Sequence, residues 1–269
     1  MPEGPEIRRA ADRVAKAVAG HAVEVSFGLP RLEAWAPVLS GAAVQSVTSH
    51  GKAMLTRFST GHVVYSHNQL YGRWYIQKSG QLPPTNRQLR FALRGKARWA
   101  LLYSASDIDV LEADDLDMHP FLRKLGPDVL DTDEATIRAR LRSDEFRGRQ
   151  LASLYLNQGY LAGLGNYLRA EILFLAKLDP TRRAADLSAA EIRRLAKHTS
   201  EVPQRSYRTG GIVLEERRAN ALKKQGAPRR ERRFYVYHRE GKQCRRCDTR
   251  IERFDAGGRH IFRCPTCQR

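Results

Sequence analysis

The chain has 269 residues, of which 47 are Lys or Arg and 29 are Asp or Glu, so its formal net charge is +18. A surface with this excess of cations repels itself unless it meets a polyanion, and nucleic acid is the expected partner. No apolar run approaches the ~18 residues of a membrane-spanning helix, and the N-terminus lacks a basic-then-apolar signal. We therefore expect a cytoplasmic protein with no membrane partner, built from two or three compact units.

The first predicted element is a helix over residues 5–19. Its apolar residues recur at the spacing of one helical face, which predicts an amphipathic helix packed on a core. They are Ile7, Ala10, Ala11, Val14, Ala17 and Val18. Pro5 suits the first helical position and Glu6 favours the positive end of the helix dipole. Gly20 can adopt the left-handed conformation that ends a helix, so the helix is expected to run from near Gly4 to this residue.

Short runs rich in Val, Tyr, Trp and Thr follow from His21 to about Leu111 and predict a β-sandwich. The predicted strands are residues 42–49, 53–58, 62–66, 72–77, 88–94 and 98–103. After Asp114 the apolar period becomes helical, which predicts a second, helical domain. The predicted helices are residues 133–142, 148–158, 166–176 and 188–199. Residues 203–233 contain Pro, Gly and a run of Arg, and we interpret them as a loop or linker.

The four cysteines lie in the last 26 residues as two Cys-x2-Cys pairs separated by 16 residues. The pairs are Cys244 with Cys247 and Cys264 with Cys267. Each pair fits a tight turn, and four thiolates complete a tetrahedral zinc site with no open position, so we predict one structural Zn²⁺. Two disulfides are the alternative, which a reducing cytosol disfavours. Between the pairs we predict a hairpin with Gly257 and Gly258 at its tip, a strand at 260–262, and Arg259 directed toward DNA or simply solvated.

The chain opens with Met-Pro-Glu-Gly-Pro-Glu, and a small second residue favours removal of Met1. The α-amine of Pro2 is then a candidate nucleophile, because an α-amino group has a pKa of ~8 against ~10.4 for lysine. A position just before a helix N-terminus lowers that value further. The neighbouring Glu3 is a natural acid or base. The alternative is that Pro2 and Gly4 only lead into the helix.

Residues 158–166 read QGYLAGLGN and lie between two predicted helices. The three glycines let the backbone turn tightly, and free amides at the start of the next helix favour a phosphate. Asn166 adds a side-chain donor, and Arg169 lies one turn further along. An ordinary corner between two helices is the alternative interpretation.

Two further features lie in the predicted sandwich. Lys52 follows Gly51 ahead of a strand, and on its own it is interpreted as a surface lysine. Gln69, Leu70 and Tyr71 lie between two strands, where an exposed Leu-Tyr pair can wedge into a base stack. Half-buried strand residues are the alternative for this triplet.

In combination these features resemble the formamidopyrimidine-DNA glycosylase superfamily, and within it the bacterial endonuclease VIII branch. The matching stretches are MPEGPEIRRA at the start, GK at 51–52, HNQLYG at 67–72, GLGNYLRAEIL at 163–173 and the Cys pairs that flank GGR. The resemblance implies an α+β multidomain enzyme with DNA bound in a cleft. Its parts are a catalytic β-sandwich with a catalytic N-terminal helix over 1–124, a helix-two-turn-helix DNA-binding domain over 125–222, and a linker and zinc finger over 223–269.

The resemblance also implies catalytic roles for matching residues. Pro2 is similar to the Schiff-base nucleophile that attacks C1′ of the damaged nucleotide, and Glu3 to the acid that protonates the sugar ring oxygen. Lys52 is similar to a contact of the reacting sugar phosphate, and Arg259 to a catalytic-site contact of the backbone phosphates around the extruded nucleotide.

Further matching residues imply DNA contacts outside the chemistry. Asn166 corresponds to a phosphate contact, and we place Arg169 with it on the DNA-binding side. Gln69, Leu70 and Tyr71 match the loop that fills the gap left in the duplex by the flipped nucleotide, which offsets part of the cost of flipping.

The implied activity is base-excision repair. A bifunctional DNA glycosylase removes oxidised bases, most closely pyrimidines, and cleaves the abasic site by β,δ-elimination. The implied partner is double-stranded DNA that contains oxidised bases or abasic sites, bound by a monomer associated with the nucleoid. Two alternatives remain: an oxidised-purine glycosylase of the same superfamily, and a non-enzymatic zinc-ribbon protein. The basic stretch at 223–233 departs from the family pattern, so contacts to the damaged base are not assigned there.

Overall fold

The computed structural model describes residues 2–269, so Met1, whose removal the sequence predicts, lies outside the described residues. These residues form two compact units. The first contains Pro2 and Glu6–Lys124, and the second contains Glu3–Pro5 and Leu125–Arg269. The predicted three-part division at 124 and 222 stays a prediction. Within residues 2–269, no helix is long and apolar enough to cross a membrane.

The first unit is a β-sandwich with a helix against its core. Its antiparallel sheets have the strand orders β2-β3-β4-β8 and β1-β6-β7-β5. The strands are β1 Glu24–Phe27, β2 Val44–His50, β3 Ala53–Phe58, β4 His62–His67, β5 Arg73–Lys78, β6 Leu89–Arg94, β7 Arg98–Tyr103 and β8 Asp107–Glu112. Val64 of one sheet and Phe91 and Leu102 of the other share a buried cluster, which defines a sandwich core. The β-sandwich prediction is confirmed, although β1 and β8 lie outside the six predicted runs.

The predicted N-terminal helix is confirmed as α1, Gly4–Val18. Its apolar face is buried, with Ala11 and Val14 at 0% exposure in the same cluster as the sandwich core. Gly20 has φ +80°, the left-handed conformation expected after the helix. A second short helix, α2, spans Trp35–Leu39.

The second unit is helical around one buried cluster. Its helices are α3 Glu134–Arg142, α4 Leu151–Leu154, α5 Asn166–Leu175, α6 Ala189–Thr209 and α7 Glu216–Lys224. The loop predicted over residues 203–233 is wrong in two places, because α6 continues through Pro203 and α7 follows. Val202 and Pro203 are buried on the core side of α6, so packing outweighs the hydrogen bond that proline cannot make. The helix instead ends at Gly210, which has φ +69°.

The chain closes with a hairpin of β9, Glu252–Ala256, and β10, Arg259–Arg263. The strands pair antiparallel, and Gly257 and Gly258 form the tip with φ of +64° and +72°. Glycine populates this region without the steric penalty of a side chain. The predicted hairpin and its tip are therefore confirmed.

Candidate active site and metal centre

Pro2 lies in the first unit at a groove of about 850 Å³. Glu6, in the first turn of α1, lines the same groove, as do Leu70 and Tyr71 from the loop between β4 and β5. The candidate nucleophile thus lines an open groove to which a carboxylate and two apolar side chains also contribute. An amine and an acid or base that share one groove are compatible with nucleophilic catalysis.

Lys52 occupies the tight turn between β2 and β3. Gly51 before it has φ +59°, and the Lys52 side chain is buried, with 8% exposure. Its positive charge helps to lower the pKa of His67, for which burial is the larger cause. The interpretation of Lys52 as an ordinary surface lysine is therefore wrong.

The loop of residues 68–72 holds an apolar tip away from the core. Leu70 is 54% and Tyr71 67% exposed, which is unusual for side chains of this size. The turn beneath them is tight, because the Gly72 amide donates to the Asn68 carbonyl oxygen over 2.7 Å. A Cβ at position 72 would lie 2.4 Å from that oxygen, so only glycine fits. The half-buried alternative for this loop is wrong, and its apolar side chains are free to meet a ligand.

Gln69 is fixed from two sides within this loop. Its backbone has φ +50°, and its amide donates to Nδ1 of His67 over 3.0 Å. Its side-chain Oε1 accepts from the hydroxyl of Ser106 over 3.0 Å. Nδ1 can accept only when it carries no proton, and burial lowers the pKa of His67, which favours that form. His67 and Ser106 are positioning residues that the sequence did not reveal.

Glu3 belongs to the second unit and is 4% exposed. Its Oε1 accepts from the amide of Tyr167 over 2.8 Å, and its Oε2 from the amide of Leu168 over 3.2 Å. These amides are in the first turn of α5, where a helix leaves its donors unpaired and its dipole favours an anion. The anion at this helix start is therefore the carboxylate of Glu3, whereas the glycine loop predicted a phosphate.

The glycines before α5 allow this approach of the N-terminal segment. A Cβ at Gly165 would lie 2.4 Å from Cδ of Glu3, so any side chain there would displace the carboxylate. The Gly4 amide donates to the carbonyl oxygen of Gly163 over 2.8 Å, and Gly163 has φ +95°. The interpretation of this loop as an ordinary helix corner is incomplete, because its glycines make room for Glu3 and Gly4.

Arg169 lies in the interior of the second unit at 0% exposure. Its guanidinium donates to the carbonyl oxygens of Ala152, Ala256 and His260 over 2.9 to 3.0 Å. It also donates to Oδ1 of Asn166 over 2.6 Å. Burial, and then repulsion from Arg259, lowers the pKa of Arg169 to about 10. The structure therefore places Arg169 beneath the hairpin, which it supports, and not at a surface open to phosphate.

Asn166 and Arg259 lie together in the second unit. Both line a surface cavity of about 580 Å³, along with His260 and Gly258. Asn166 donates from Nδ2 to the carbonyl oxygen of His260 over 3.1 Å, which ties the start of α5 to β10. Arg259 is exposed at the beginning of β10, directly after the hairpin tip. The exposed cation and the helix start are thus brought together by contacts that are remote in sequence.

The four cysteines of the second unit form one cluster. Their sulfur atoms all lie within 4.8 Å of one another, and no disulfide joins them among the described residues. Individual Sγ–Sγ distances are 3.3, 3.4 and 4.0 Å. Four sulfurs ~2.3 Å from a tetrahedral zinc ion would be ~3.8 Å apart, so the cluster fits such an ion. The cluster can hold a metal, and the disulfide alternative is wrong.

Comparison with known proteins decides the family. Residues 1–104 match the family described as Formamidopyrimidine-DNA glycosylase N-terminal domain, and residues 125–218 match the Formamidopyrimidine-DNA glycosylase H2TH domain. The proteins named Endonuclease 8 of Klebsiella pneumoniae and Pectobacterium atrosepticum are each 45% identical over 271 residues, with both chains fully covered. The chain belongs to the formamidopyrimidine-DNA glycosylase family.

Solved structures agree on the fold of this glycosylase family. A complex of Lactococcus lactis Fpg with DNA that contains an abasic site is similar with a TM-score of 0.81 and 21% identity, over 99% of each chain. MutM in complex with DNA that contains carbocyclic 8-oxo-G gives a TM-score of 0.82 and 22% identity over the full length of both. The family and fold predicted from the sequence are confirmed. The predicted enzyme class, a DNA repair glycosylase and lyase, is also confirmed. The non-enzymatic alternative is therefore wrong.

One positioning residue of this glycosylase was missed from the sequence. Glu171 is fully buried in α5, and its carboxylate accepts from the amides of Tyr235, Val236 and Tyr237 over 2.7 to 2.9 Å. Burial raises the pKa of Glu171, while the three amides act in the opposite direction. A lone carboxylate in the otherwise apolar stretch of α5 was the available signal. Glu171 therefore fixes residues 235–237, which lead into the cysteine cluster.

Proposed function

We propose that this protein removes oxidised bases from DNA and cleaves the resulting abasic site with the amine of Pro2 as the nucleophile. The observation that carries the proposal is the position of Pro2 at an open groove that Glu6 and the exposed Leu70 and Tyr71 also line. The next residue, Glu3, is held by two amides and is available for proton transfer close to that amine in the chain.

The chemistry follows from a secondary amine at the chain end. The nitrogen of Pro2 bonds to C1′ as the bond from C1′ to the base breaks, and the proton that this nitrogen loses leaves with the base. Glu3 gives a proton to the ring oxygen, the sugar opens, and an iminium forms between Pro2 and C1′. The iminium acidifies the C2′ protons, so elimination expels the 3′ phosphate, and a second elimination expels the 5′ phosphate. A secondary amine gives an iminium with a fixed positive charge, which favours Pro2 over Lys52.

DNA contacts are proposed for the other predicted residues. Lys52 approaches the reacting sugar phosphate, and Asn166 and Arg259 approach the neighbouring phosphates. The support for this is the exposure of Arg259 next to Asn166 and the net charge of the chain. We propose that the buried Arg169 acts on DNA through the hairpin that it holds.

The exposed triplet Gln69, Leu70 and Tyr71 is proposed to enter the base stack. Apolar side chains that insert between base steps offset the loss of stacking when a nucleotide leaves the duplex. The fixed Gln69 and the tight turn at Gly72 support this role, because a wedge that is already rigid loses little conformational freedom on binding.

We further propose that the cysteine cluster binds one Zn²⁺ in a structural role. Cys244, Cys247, Cys264 and Cys267 would complete a tetrahedron and leave no position for a substrate. The ion supplies folding free energy to the hairpin that presents Arg259. The substrate is proposed to be double-stranded DNA with oxidised pyrimidines or abasic sites, bound by a monomer in the cytoplasm at the nucleoid.

Borohydride trapping tests the nucleophile. We expect a covalent adduct between the protein and abasic DNA, mapped by mass spectrometry to a chain that begins at Pro2. Pro2→Gly and a form that retains Met1 should still bind abasic DNA but lose most of the nicking. Lys52→Arg serves as the comparison for the other candidate amine. An adduct on Lys52, or full nicking by the form that retains Met1, would contradict the proposal.

A panel of duplexes tests the substrate class. Each duplex carries one defined lesion, either an oxidised pyrimidine or an oxidised purine, and single-turnover excision rates are compared. Faster excision of the pyrimidines is expected. The opposite order would support the oxidised-purine alternative and leave the trapping result intact.

A further inference from the structure

The basic stretch at residues 223–233 borders a cavity of about 390 Å³ in the second unit. The cavity lies between α7, the short 3-10 helix Arg229–Arg232 and the segment that leads into the cysteine cluster. None of the residues that line it is one to which we assign catalysis or a DNA contact. Its volume is within the range of small-molecule sites, ~300 to 1,000 Å³. The cavity is therefore a candidate site for a ligand of its own.

Cationic side chains that are remote in sequence meet at this cavity. They include Arg230, Arg239, Lys242 and Arg245, and Glu231 is the acidic residue of the lining. Arg230 and Lys242 are exposed, whereas Arg239 and Arg245 are half-buried. The cavity thus combines accessible cations with recessed ones, and its charge attracts an anion.

Backbone carbonyl oxygens orient the half-buried arginines. Arg239 donates to the carbonyl oxygens of Tyr235 and Gln243 over 2.5 and 2.9 Å, and Arg245 donates from Nε to that of Phe234 over 3.2 Å. Neither arginine forms an ion pair within residues 2–269. A carbonyl oxygen fixes a guanidinium without neutralising it, and each guanidinium has five N–H donors. Both side chains therefore keep charge and donors for a ligand.

Like charges are held close together around this cavity. Burial, and then repulsion from Arg245, lowers the pKa of Arg239 to about 10. Glu171 acts in the opposite direction, but its buried carboxylate already accepts from three backbone amides. Arg218 of α7 brings a further cation, since its guanidinium donates to the carbonyl oxygen of Arg245 over 2.6 Å. A bound anion would offset this repulsion.

Apolar side chains complete the lining. Leu222 of α7 and the buried Phe234 both line the cavity. Apolar walls beside cations lower the local dielectric constant and strengthen the attraction of an anion. The cavity should therefore hold a small anion more tightly than an exposed cluster of the same cations would.

We propose that this cavity binds a compact oligophosphate, either inorganic or as the phosphate chain of a nucleotide. A di- or triphosphate places several negative charges within a short chain, which suits cations grouped around one cavity. Guanidinium groups pair with phosphate oxygens in a bidentate geometry. The convex backbone of a DNA duplex reaches exposed side chains more easily than the half-buried Arg239 and Arg245, so a small anion is favoured. The inference is independent of the lyase chemistry at Pro2.

Isothermal titration calorimetry of the full chain at fixed ionic strength tests the ligand class. Tripolyphosphate and ATP should each bind saturably and adenosine should not, because the phosphate chain carries the recognition. Binding of ATP at least as tight as that of tripolyphosphate would identify a nucleotide as the source, and weaker binding of ATP would identify an inorganic polyphosphate. Hydrogen exchange at residues 229–245 should slow with either ligand. The absence of saturable binding by both anions would overturn the inference.

A variant with two neutralised cations locates the site. Arg230→Gln combined with Lys242→Gln should weaken tripolyphosphate binding at least ~10-fold, because two charge-assisted contacts are lost. The matched control is Arg193→Gln with Lys197→Gln on α6, which removes the same charge at two exposed positions and should leave binding unchanged. Nicking of abasic DNA reports separately on the proposed function and should be kept by both variants. Equal weakening in both would show that binding depends on net charge alone and would overturn the inference.

DNA is the competing occupant, because His238 lines both this cavity and the one at Arg259. An undamaged duplex is therefore added to the protein with tripolyphosphate bound. The duplex should leave tripolyphosphate in place. Displacement by the duplex would assign the cavity to the DNA interface and would also overturn the inference.

Discussion

The loop of residues 68–72 and the hairpin tip of residues 257–259 are the two exposed segments to which we assign DNA contacts, and they are stabilised differently. The loop is closed by its own backbone, with the Gly72 amide bonded to Asn68 four residues earlier. The hairpin is held by Arg169, whose acceptors Ala256 and His260 are 87 and 91 residues away.

The difference shows how two rigid tips can fail independently. A locally closed turn depends on the residue types within it and on a few neighbours. A tip that is held by a buried side chain and a cysteine cluster depends on the folding of distant segments. Perturbations of the second unit should therefore reach the hairpin and leave the loop unchanged.

Removal of the proposed Zn²⁺ should have the largest effect. Zinc contributes ~10 kcal/mol or more to the folding of isolated zinc fingers. We expect residues 252–263 to lose hydrogen-exchange protection on chelation and DNA affinity to fall, while β4 and β5 keep their protection. Equal loss of protection in β4 and β9 would show that the two tips are not independent.

Gly72→Ala perturbs the loop alone. The added Cβ would overlap the Asn68 carbonyl oxygen, and we expect a loss of about 3 kcal/mol in the free energy of unfolding, together with slower nicking. Gly148→Ala is the matched control, because no atom lies within 4 Å of its added Cβ. Urea unfolding measures both variants. A Gly72→Ala protein as stable as the control would contradict the assigned overlap.

Arg169→Met perturbs the hairpin from below. The carbonyl oxygens of Ala152, Ala256 and His260 lose their donor, and we expect ~2 kcal/mol of destabilisation with weaker DNA binding. Arg193→Met, at an exposed position of α6, is the control. Hydrogen exchange should increase in β9 and β10 and stay constant at residues 68–72. Faster exchange at residues 68–72 with constant exchange in β9 and β10 would contradict the support of the hairpin by Arg169.

Ser106→Ala should have a smaller effect, ~1 kcal/mol, because it removes one hydrogen bond to Gln69. Nicking should slow by a few-fold without a change in the protection of the hairpin. The exposed Ser79→Ala is the control for loss of a hydroxyl. Single-turnover nicking rates are compared for Ser106→Ala and Ser79→Ala. Equal rates for the two variants would exclude a positioning role for Ser106.

The pH dependence of the loop should be the weakest effect. The pKa of His67 is lowered from 6.5, mainly by burial, so the folded state binds fewer protons at this site than the unfolded state. The contribution of unprotonated His67 to the free energy of unfolding is therefore fully present above pH 6.5. It is lost as the pH falls from 6.5 through the folded-state pKa of His67. Urea unfolding at pH 8 and pH 5 should show a smaller difference for His67→Phe than for the wild type. An equal difference would mean that another group titrates.

Features set by local spacing were predictable from the sequence. The Cys pairs carry their ligand geometry in a few residues each, and α1 carries its buried face in its period. The hairpin tip was predictable for the same reason, because consecutive glycines favour a turn. Pro2 was singled out by the residue types around it, and its catalytic role remains a proposal.

Features set by distant partners were not predictable. The amides at the start of α5 suggested a phosphate, but Glu3, 164 residues before Tyr167, occupies them. Arg169 suggested a surface cation, yet it lies under the hairpin. Pro203 suggested a helix end, but burial on the core side of α6 outweighs the lost hydrogen bond. In each case the deciding contact involves residues that no local pattern connects.

The separation between Glu3 and its donors has a consequence for synthesis. A ribosome adds ~5 to 20 residues per second, so roughly 8 to 33 seconds pass between translation of Glu3 and of Tyr167. Throughout that interval the start of α5, whose amides hold Glu3 in the folded protein, has not been synthesised. The proposed removal of Met1 by an aminopeptidase therefore has this interval in which to precede engagement of the carboxylate, and slower elongation lengthens the interval.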